Sequence, residues 1–264
     1  MSSIYKAITI VGVTAVLGVQ IPAVWAQAAQ TSIAQPQVRE FLNQGINKAK
    51  RGDYQGAIAD YTQAIRANPN LVVAYMNRGS AHHDLGNFTR AIADFEQALQ
   101  LQPNSAKAYY NRGEARSDIG DLKGAIADLN QAIQLKPNYV EAYNNRAIAH
   151  ATMGNINAAV ADLNQVIRLK PNYADAYYNR GKARTALGDA PGAISDYNQT
   201  LRIKPDIAEA YGNRGLLYSQ TGNKQAALAD LQQAAKLFAQ QGNQQSYQQT
   251  LGFIHQIQQA SRQP

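Results

Sequence analysis

Residues 106–139 read A-K-A-Y-Y-N-R-G-E-A-R-S-D-I-G-D-L-K-G-A-I-A-D-L-N-Q-A-I-Q-L-K-P-N-Y, and the architecture follows from them. The first half runs to Gly120, where a residue without a Cβ can take the left-handed conformation that closes a helix. Asp121 then suits the N-cap of a second helix. In that second half Ile126, Leu129 and Ile133 recur at helical spacing. Lys136-Pro137-Asn138 ends it, because proline donates no backbone hydrogen bond and restricts the residue before it. The stretch predicts two helices joined by a tight turn.

The same pattern extends in both directions. Pro69, Pro103, Pro137, Pro171 and Pro205 lie 34 residues apart, as do Gly52, Gly86, Gly120, Gly154, Gly188 and Gly222. Ala57, Ala91, Ala125, Ala159, Ala193 and Ala227 keep the same step. Six blocks therefore run without insertion: 38–71, 72–105, 106–139, 140–173, 174–207 and 208–241. A fixed period of this size marks an array of stacked units, none able to bury its apolar face alone. Residues 242–264 read as a capping helix and tail, with Tyr247, Leu251, Ile254 and Ile257 as one apolar stripe on a Gln-rich surface.

Within each block, position 4 is aromatic (Phe41, Tyr75, Tyr109, Tyr143, Tyr177, Tyr211) and position 8 is small (Gly45, Gly79, Gly113, Ala147, Gly181, Gly215). Position 24 is large: Tyr61, Phe95, Leu129, Leu163, Tyr197 and Leu231. Small residues let two helices approach, and the large ones fill the space beside them. With Gly at 15, Ala at 20 and 27 and Pro at 32, the pattern resembles the tetratricopeptide repeat (TPR) family over 204 of 264 residues. Val166, Thr200 and Ala239 depart from it. The resemblance implies an all-α, right-handed superhelical solenoid of six helix-turn-helix repeats, whose first helices line a concave groove.

Three further columns lie outside that packing pattern. Arg occupies position 7 in five blocks (Arg78, Arg112, Arg146, Arg180, Arg214), with Gln44 in the first, and Asp occupies position 23 in all six. The family usually carries an apolar residue at position 7, so the resemblance implies half-buried guanidinium groups, which need carboxylate partners. Pairing each Asp with the Arg of the following block predicts Asp60–Arg78, Asp94–Arg112, Asp128–Arg146, Asp162–Arg180 and Asp196–Arg214. Pairing within blocks satisfies the five arginines equally.

The third column is Asn at position 6: Asn43, Asn77, Asn111, Asn145, Asn179 and Asn213. The resemblance places position 6 in the groove. A carboxamide both donates and accepts, so it can hold a main-chain N–H and C=O. Neighbouring first helices stand roughly 10 Å apart, and an extended chain advances about 3.3 Å per residue, so one Asn meets about every third partner residue. Internal bonding between helices is the competing role for this column. Tyr110 and Tyr178 at position 5 add aromatic contact with a polar tip. Position 2 changes from Arg39, Val73 and Lys107 to Glu141, Asp175 and Glu209, which would turn a partner's basic end towards the last three blocks. The family's carboxylate clamp for chaperone tails is absent, since Asn stands where it needs Arg.

The expected function is an exported scaffold or assembly factor that binds a protein or peptide partner. The alternative is a self-associating structural spacer. With no cysteine, the chain has no disulfides or thiolate metal sites. The four histidines lack an evident carboxylate or metal pattern, and no phosphate loop or nucleophile elbow occurs. Neither a catalytic centre nor a cofactor is expected. The net charge of +7 comes without an aromatic–basic stripe, so no nucleic acid is expected, while peripheral contact with an anionic membrane stays open.

Residues 1–26 read as a secretory signal peptide. Lys6 precedes an apolar run from Ala7 to Val19, and Val24-Trp25-Ala26 offers a small-residue cleavage site. A run of about 13 apolar residues falls short of the roughly 20 a spanning helix needs. Residues 27–37 read as a flexible leader. Asn-Arg-Gly and Ala-Ile-Ala-Asp blocks with Gln-rich ends resemble bacterial, particularly cyanobacterial, family members. The expected location is therefore the periplasm, thylakoid lumen or extracellular space.

Overall fold

The structure, a computed structural model, describes residues 36–260. The signal peptide and all but the last two residues of the leader lie outside them; Pro36 and Gln37 belong to the first helix. Among the described residues there are thirteen helices and no strand. None of these helices is long and apolar enough to cross a membrane. The chain divides into two compact units, Met1–Pro137 and Asn138–Pro264.

The first unit holds three helix pairs: α1 (Pro36–Lys50) with α2 (Tyr54–Ala67), α3 (Val72–Asp84) with α4 (Phe88–Leu101), and α5 (Ala106–Asp118) with α6 (Leu122–Leu135). The second holds α7 (Val140–Thr152) with α8 (Ile156–Leu169), α9 (Ala174–Ala186) with α10 (Ala190–Ile203), and α11 (Ala208–Gln220) with α12 (Lys224–Gln240). A last helix, α13 (Gln244–Ala260), packs on α12. Within each unit every pair also packs on the next, as an array with nearest-neighbour interfaces requires.

The turns follow their local chemistry. Gly120 has φ of +83°, and five other glycines of its column share the positive-φ region. Asp121 Oδ1 then accepts the Gly124 N–H at 2.9 Å and caps α6. Helix approach depends on position 8. A Cβ on Gly79 would lie 2.7 Å from the Phe95 ring, so only glycine allows that contact. In the fourth pair the position-24 residue is the smaller Leu163, and Ala147 takes the glycine's place. Thr200 fills its site by donating its hydroxyl to the Asp196 carbonyl at 3.0 Å.

The Arg and Asp columns pair within repeats, which corrects the following-block pairing. Each Arg donates side-on through Nε and Nη2 to both oxygens of the Asp sixteen residues later. The distances are 2.9 and 2.7 Å for Arg78–Asp94, 2.9 and 2.6 Å for Arg112–Asp128, and 2.8 and 2.6 Å for Arg146–Asp162. They are 3.0 and 2.6 Å for Arg180–Asp196 and 2.7 Å twice for Arg214–Asp230. The guanidinium does reach back one repeat, but to position 25. Arg78 Nη1 donates to Thr62, Arg180 to Asn164 and Arg214 to Asn198, at 3.1, 2.7 and 2.6 Å. Asp60 instead lies 2.8 Å from Lys48 Nζ, close enough for an ion pair though not aligned as a hydrogen bond.

Lys48 stands at position 11, and that column supplies the second partner. Arg116 and Arg184 each donate to their repeat's Asp at 2.9 Å. His82, in the same column, is buried beside Asp94 with its Nδ1 unpartnered; the His150 Nδ1 is likewise buried and unpartnered.

In α13 the buried face is not quite the predicted stripe. Ile257 packs with Leu231, and Phe253 and Ile254 flank it, but Leu251 faces outward. Thr250 takes the inward place and donates to the Ser246 carbonyl at 2.7 Å.

Two stability measurements test this packing. Arg214→Leu orphans a buried carboxylate whose position-11 neighbour is Tyr218, and should cost about 3–5 kcal/mol. Arg112→Leu leaves Asp128 with Arg116 and should cost clearly less. Equal losses in denaturant unfolding would refute the shared-carboxylate arrangement. Burial holds His82 below the usual imidazole range, with Asp94 opposing and Arg78 and Arg90 reinforcing that shift. The folded state therefore binds fewer protons at His82 than the unfolded state. That contribution is fully present above about pH 6.5 and is lost as pH falls below it. The fall in thermal midpoint on acidification should be shallower in His82→Arg.

Candidate functional site

The first helix of each pair presents positions 5, 6 and 9 on neighbouring parts of its surface. In the first unit Asn43 is exposed, Asn111 is half-buried, and Asn77 is buried with its Nδ2 lacking any partner. In the second, Asn145 and Asn179 are half-buried, and Asn145 already interacts with the surrounding chain. Asn213 donates to the Tyr178 hydroxyl at 3.4 Å. The six carboxamides thus share a helical position but not an environment. Asn111 and Asn179 combine partial exposure with no side-chain hydrogen bond among the described residues. The interior claims Asn77 and Asn213.

Tyr110 and Tyr178 are both half-buried. Tyr110 also interacts with the surrounding chain. The Tyr178 ring lies 6.0 Å from that of Tyr197 in a tilted arrangement, and the Lys182 ammonium stands 5.7 Å from its centroid. Burial pushes the Tyr178 phenol up to about 12, with Glu209 adding to the shift and the Asn213 bond opposing it. Tyr178 therefore stays a neutral phenol at ordinary pH.

The position-7 arginines hold this surface from behind. Each guanidinium that grips its Asp also lies over the position-4 ring of its own helix, at 5.6 Å for Tyr75 and Tyr109 and 5.4 Å for Tyr143. Arg180 over Tyr177 and Arg214 over Tyr211 repeat the contact at 5.6 and 5.5 Å. The position-6 backbone sits between two anchored residues, 4 and 7, and is held in place.

The charged rim is partly spent internally. Asp175 Oδ1 accepts from Lys204 at 3.2 Å, while Glu141 and Glu209 are exposed. One histidine does have a carboxylate, contrary to the sequence reading: His83 Nε2 lies 2.7 Å from Asp118 Oδ2, joining α3 to α5. Residues 35 apart gave no local signal for that pair. Among the described residues no group of three His, Cys, Asp or Glu could hold a metal ion.

Sequence reasoning missed one feature of the second unit. A cleft of about 360 Å³ opens between α7, α8 and α9, lined by Ala147, Ile148, Ala151 and Leu163, with Asn179 and Lys182 beside them. Its only sequence signal is the pair Ala147 and Leu163, where the third repeat has Gly113 and the fifth has Gly181 with Tyr197.

Family profiles described as tetratricopeptide repeat match residues 42–106, 76–140 and 208–241, and one described as TPR repeat matches 152–188 and 181–222. A comparison with curated proteins found no match. Among solved structures, MamA is 30% identical, with 62% of this chain and 96% of MamA covered at a TM-score of 0.59. YrrB, described as a TPR protein with an unusual peptide-binding site, is 22% identical over 67% of this chain and 91% of its own, at 0.60. PilF of Pseudomonas aeruginosa shares the fold at 16% identity over 82% of this chain and 97% of its own, at 0.70. Family profiles over most of the described residues and helix pairs recurring every 34 residues lead to one conclusion: this chain belongs to the tetratricopeptide repeat family.

Proposed function

We propose that this protein is an exported, non-enzymatic scaffold or assembly factor that binds an extended polypeptide along the first-helix face of its repeats. The observation that carries the reading is the pair Asn111 and Asn179, half-buried carboxamides with no internal hydrogen bond, each one residue after a tyrosine at position 5. A carboxamide in that setting satisfies both main-chain groups of a passing strand and reads no particular side chain. Tyr110 and Tyr178 supply aromatic area at little entropic cost. Asn43 and Asn145 serve as outer contacts, and Asn77 and Asn213 shape the wall from inside. YrrB supports the reading to the extent that a protein with this fold has a peptide-binding site.

Export rests on residues 1–26, with the periplasm, thylakoid lumen or extracellular space as destination, in keeping with the resemblance to cyanobacterial-type members. No nucleic acid is assigned as partner; the positive charge suits a peripheral contact with an anionic surface. A second reading, the self-associating spacer, draws on Leu251, which is 37% exposed on the terminal helix α13. Light scattering on the chain with and without residues 242–264 distinguishes it: a concentration-dependent oligomer that needs α13 favours the spacer.

For the scaffold reading, the test is crosslinked capture of partners in the native host by the wild type and by Asn111→Ala with Asn179→Ala. The double variant should lose the captured partner while keeping its unfolding free energy within about 1 kcal/mol of wild type, as half-exposed substitutions do. Undiminished capture would refute the carboxamide grip.

A further inference from the structure

The cleft beside Asn179 is where the repeat pattern leaves space unfilled. In the first, second and fifth repeats an aromatic residue at position 24 presses on the position-8 glycine, so tightly that an added Cβ would come within 2.6–2.8 Å of the ring. In the third and sixth repeats leucine faces glycine there, and in the fourth the buried pair is Leu163 with Ala147, both of which line the cleft. Small residues continue the lining outward through Ala151, which is exposed, and Ile148 stands 48% exposed at the mouth. An apolar hollow of about 360 Å³ has room for one large side chain and part of its neighbours.

Charge selects the occupant. Lys182 is exposed on the cleft's edge, its ammonium over the Tyr178 ring and without an ion-pair partner among the described residues. The position-2 acids of the second unit stand seven residues earlier on each first helix, or roughly 10 Å along its axis, while Asp162, Asp189 and Asp196 are engaged by Arg146, Arg180 and Arg184. The immediate surroundings of the cleft therefore call for a carboxylate next to an apolar side chain.

We propose that this cleft anchors a leucine-sized or aromatic side chain of a partner polypeptide whose acidic residue two positions away pairs with Lys182. Alternate side chains of an extended strand fall on one face, so residues i and i+2 reach cleft and ammonium together. Asn179 takes the main chain between them; that part rests on the carboxamide grip proposed above. The anchor makes the second unit selective where a backbone grip alone is not.

Three blocked peptides test this on the full chain: Gly-Ser-Leu-Ser-Asp-Ser-Gly, the same with Leu replaced by Ala, and the same with Asp replaced by Lys. Binding is followed by the methyl resonances of Ile148. The Leu/Asp peptide should bind about tenfold tighter than the Ala/Asp peptide, the ratio expected for burying an aliphatic side chain. Lys182→Glu should invert the order of the Asp and Lys peptides. Ala151→Phe, which fills the cleft from an exposed position, should abolish the leucine preference while leaving the helical circular dichroism unchanged. Equal affinity for the Leu and Ala peptides, an unchanged order in Lys182→Glu, or no binding at millimolar peptide would each overturn the proposal. Asn179→Ala separates the two readings. If it weakens all three peptides alike while Leu and Ala bind equally, the anchor falls and the grip stands. A leucine preference that survives Asn179→Ala undiminished means the reverse.

Discussion

A carboxylate drawn into the seam between two helices has to be met by a cation, and that requirement organises each repeat. The position-23 Asp side chains paired with Arg are 2–10% exposed, and left alone each would carry a heavy desolvation cost. The position-7 Arg answers with two parallel hydrogen bonds, a geometry that lysine cannot offer. Its remaining nitrogen reaches position 25 of the preceding repeat in Arg78, Arg180 and Arg214. One guanidinium thus sets the spacing of two helices inside a repeat and ties that repeat to its neighbour. Apolar packing alone would hold the helices together but specify their register less sharply.

The pairing of positions 8 and 24 sets how much space lies in front of this brace. Where glycine faces an aromatic ring, the interhelical volume is filled and the exposed face is closed. Where Ala147 faces Leu163, the Arg146–Asp162 brace is intact and the pair lines a cleft. A looser core would have collapsed to remove it.

Most of the helical framework was legible in residues 106–139, because turn glycine, N-cap Asp and C-terminal Pro all act through their nearest neighbours. The Arg and Asp columns announced a pairing, yet their direction was not readable. An Asp lies sixteen residues after the Arg of its own repeat and eighteen before that of the next, and sequence spacing ranks neither. Asp60 suggested the wrong choice because Lys48, its actual partner, stands in a column that varies from repeat to repeat. The asparagine column hid a different kind of detail. Six identical residues at one helical position occupy different environments: Tyr178 engages Asn213 and burial seals Asn77. His83–Asp118 and the cleft arise from residues far apart in the chain, and no local pattern marks either.

A surface braced in this way suits recognition of an extended chain. The position-4 tyrosine and position-7 arginine on each side of the asparagine are locked before any partner arrives, so binding immobilises few side chains of the scaffold and most of the ordering cost falls on the partner. In the proposed grip, carboxamides that read only main chain would supply affinity without selectivity. Selectivity has to enter where one repeat differs from the rest. In the second unit that difference is the cleft beside Ala147, where the other repeats carry glycine, together with the Lys182 ammonium at its edge, two features that single substitutions in a repeating sequence can create without disturbing the brace beneath them.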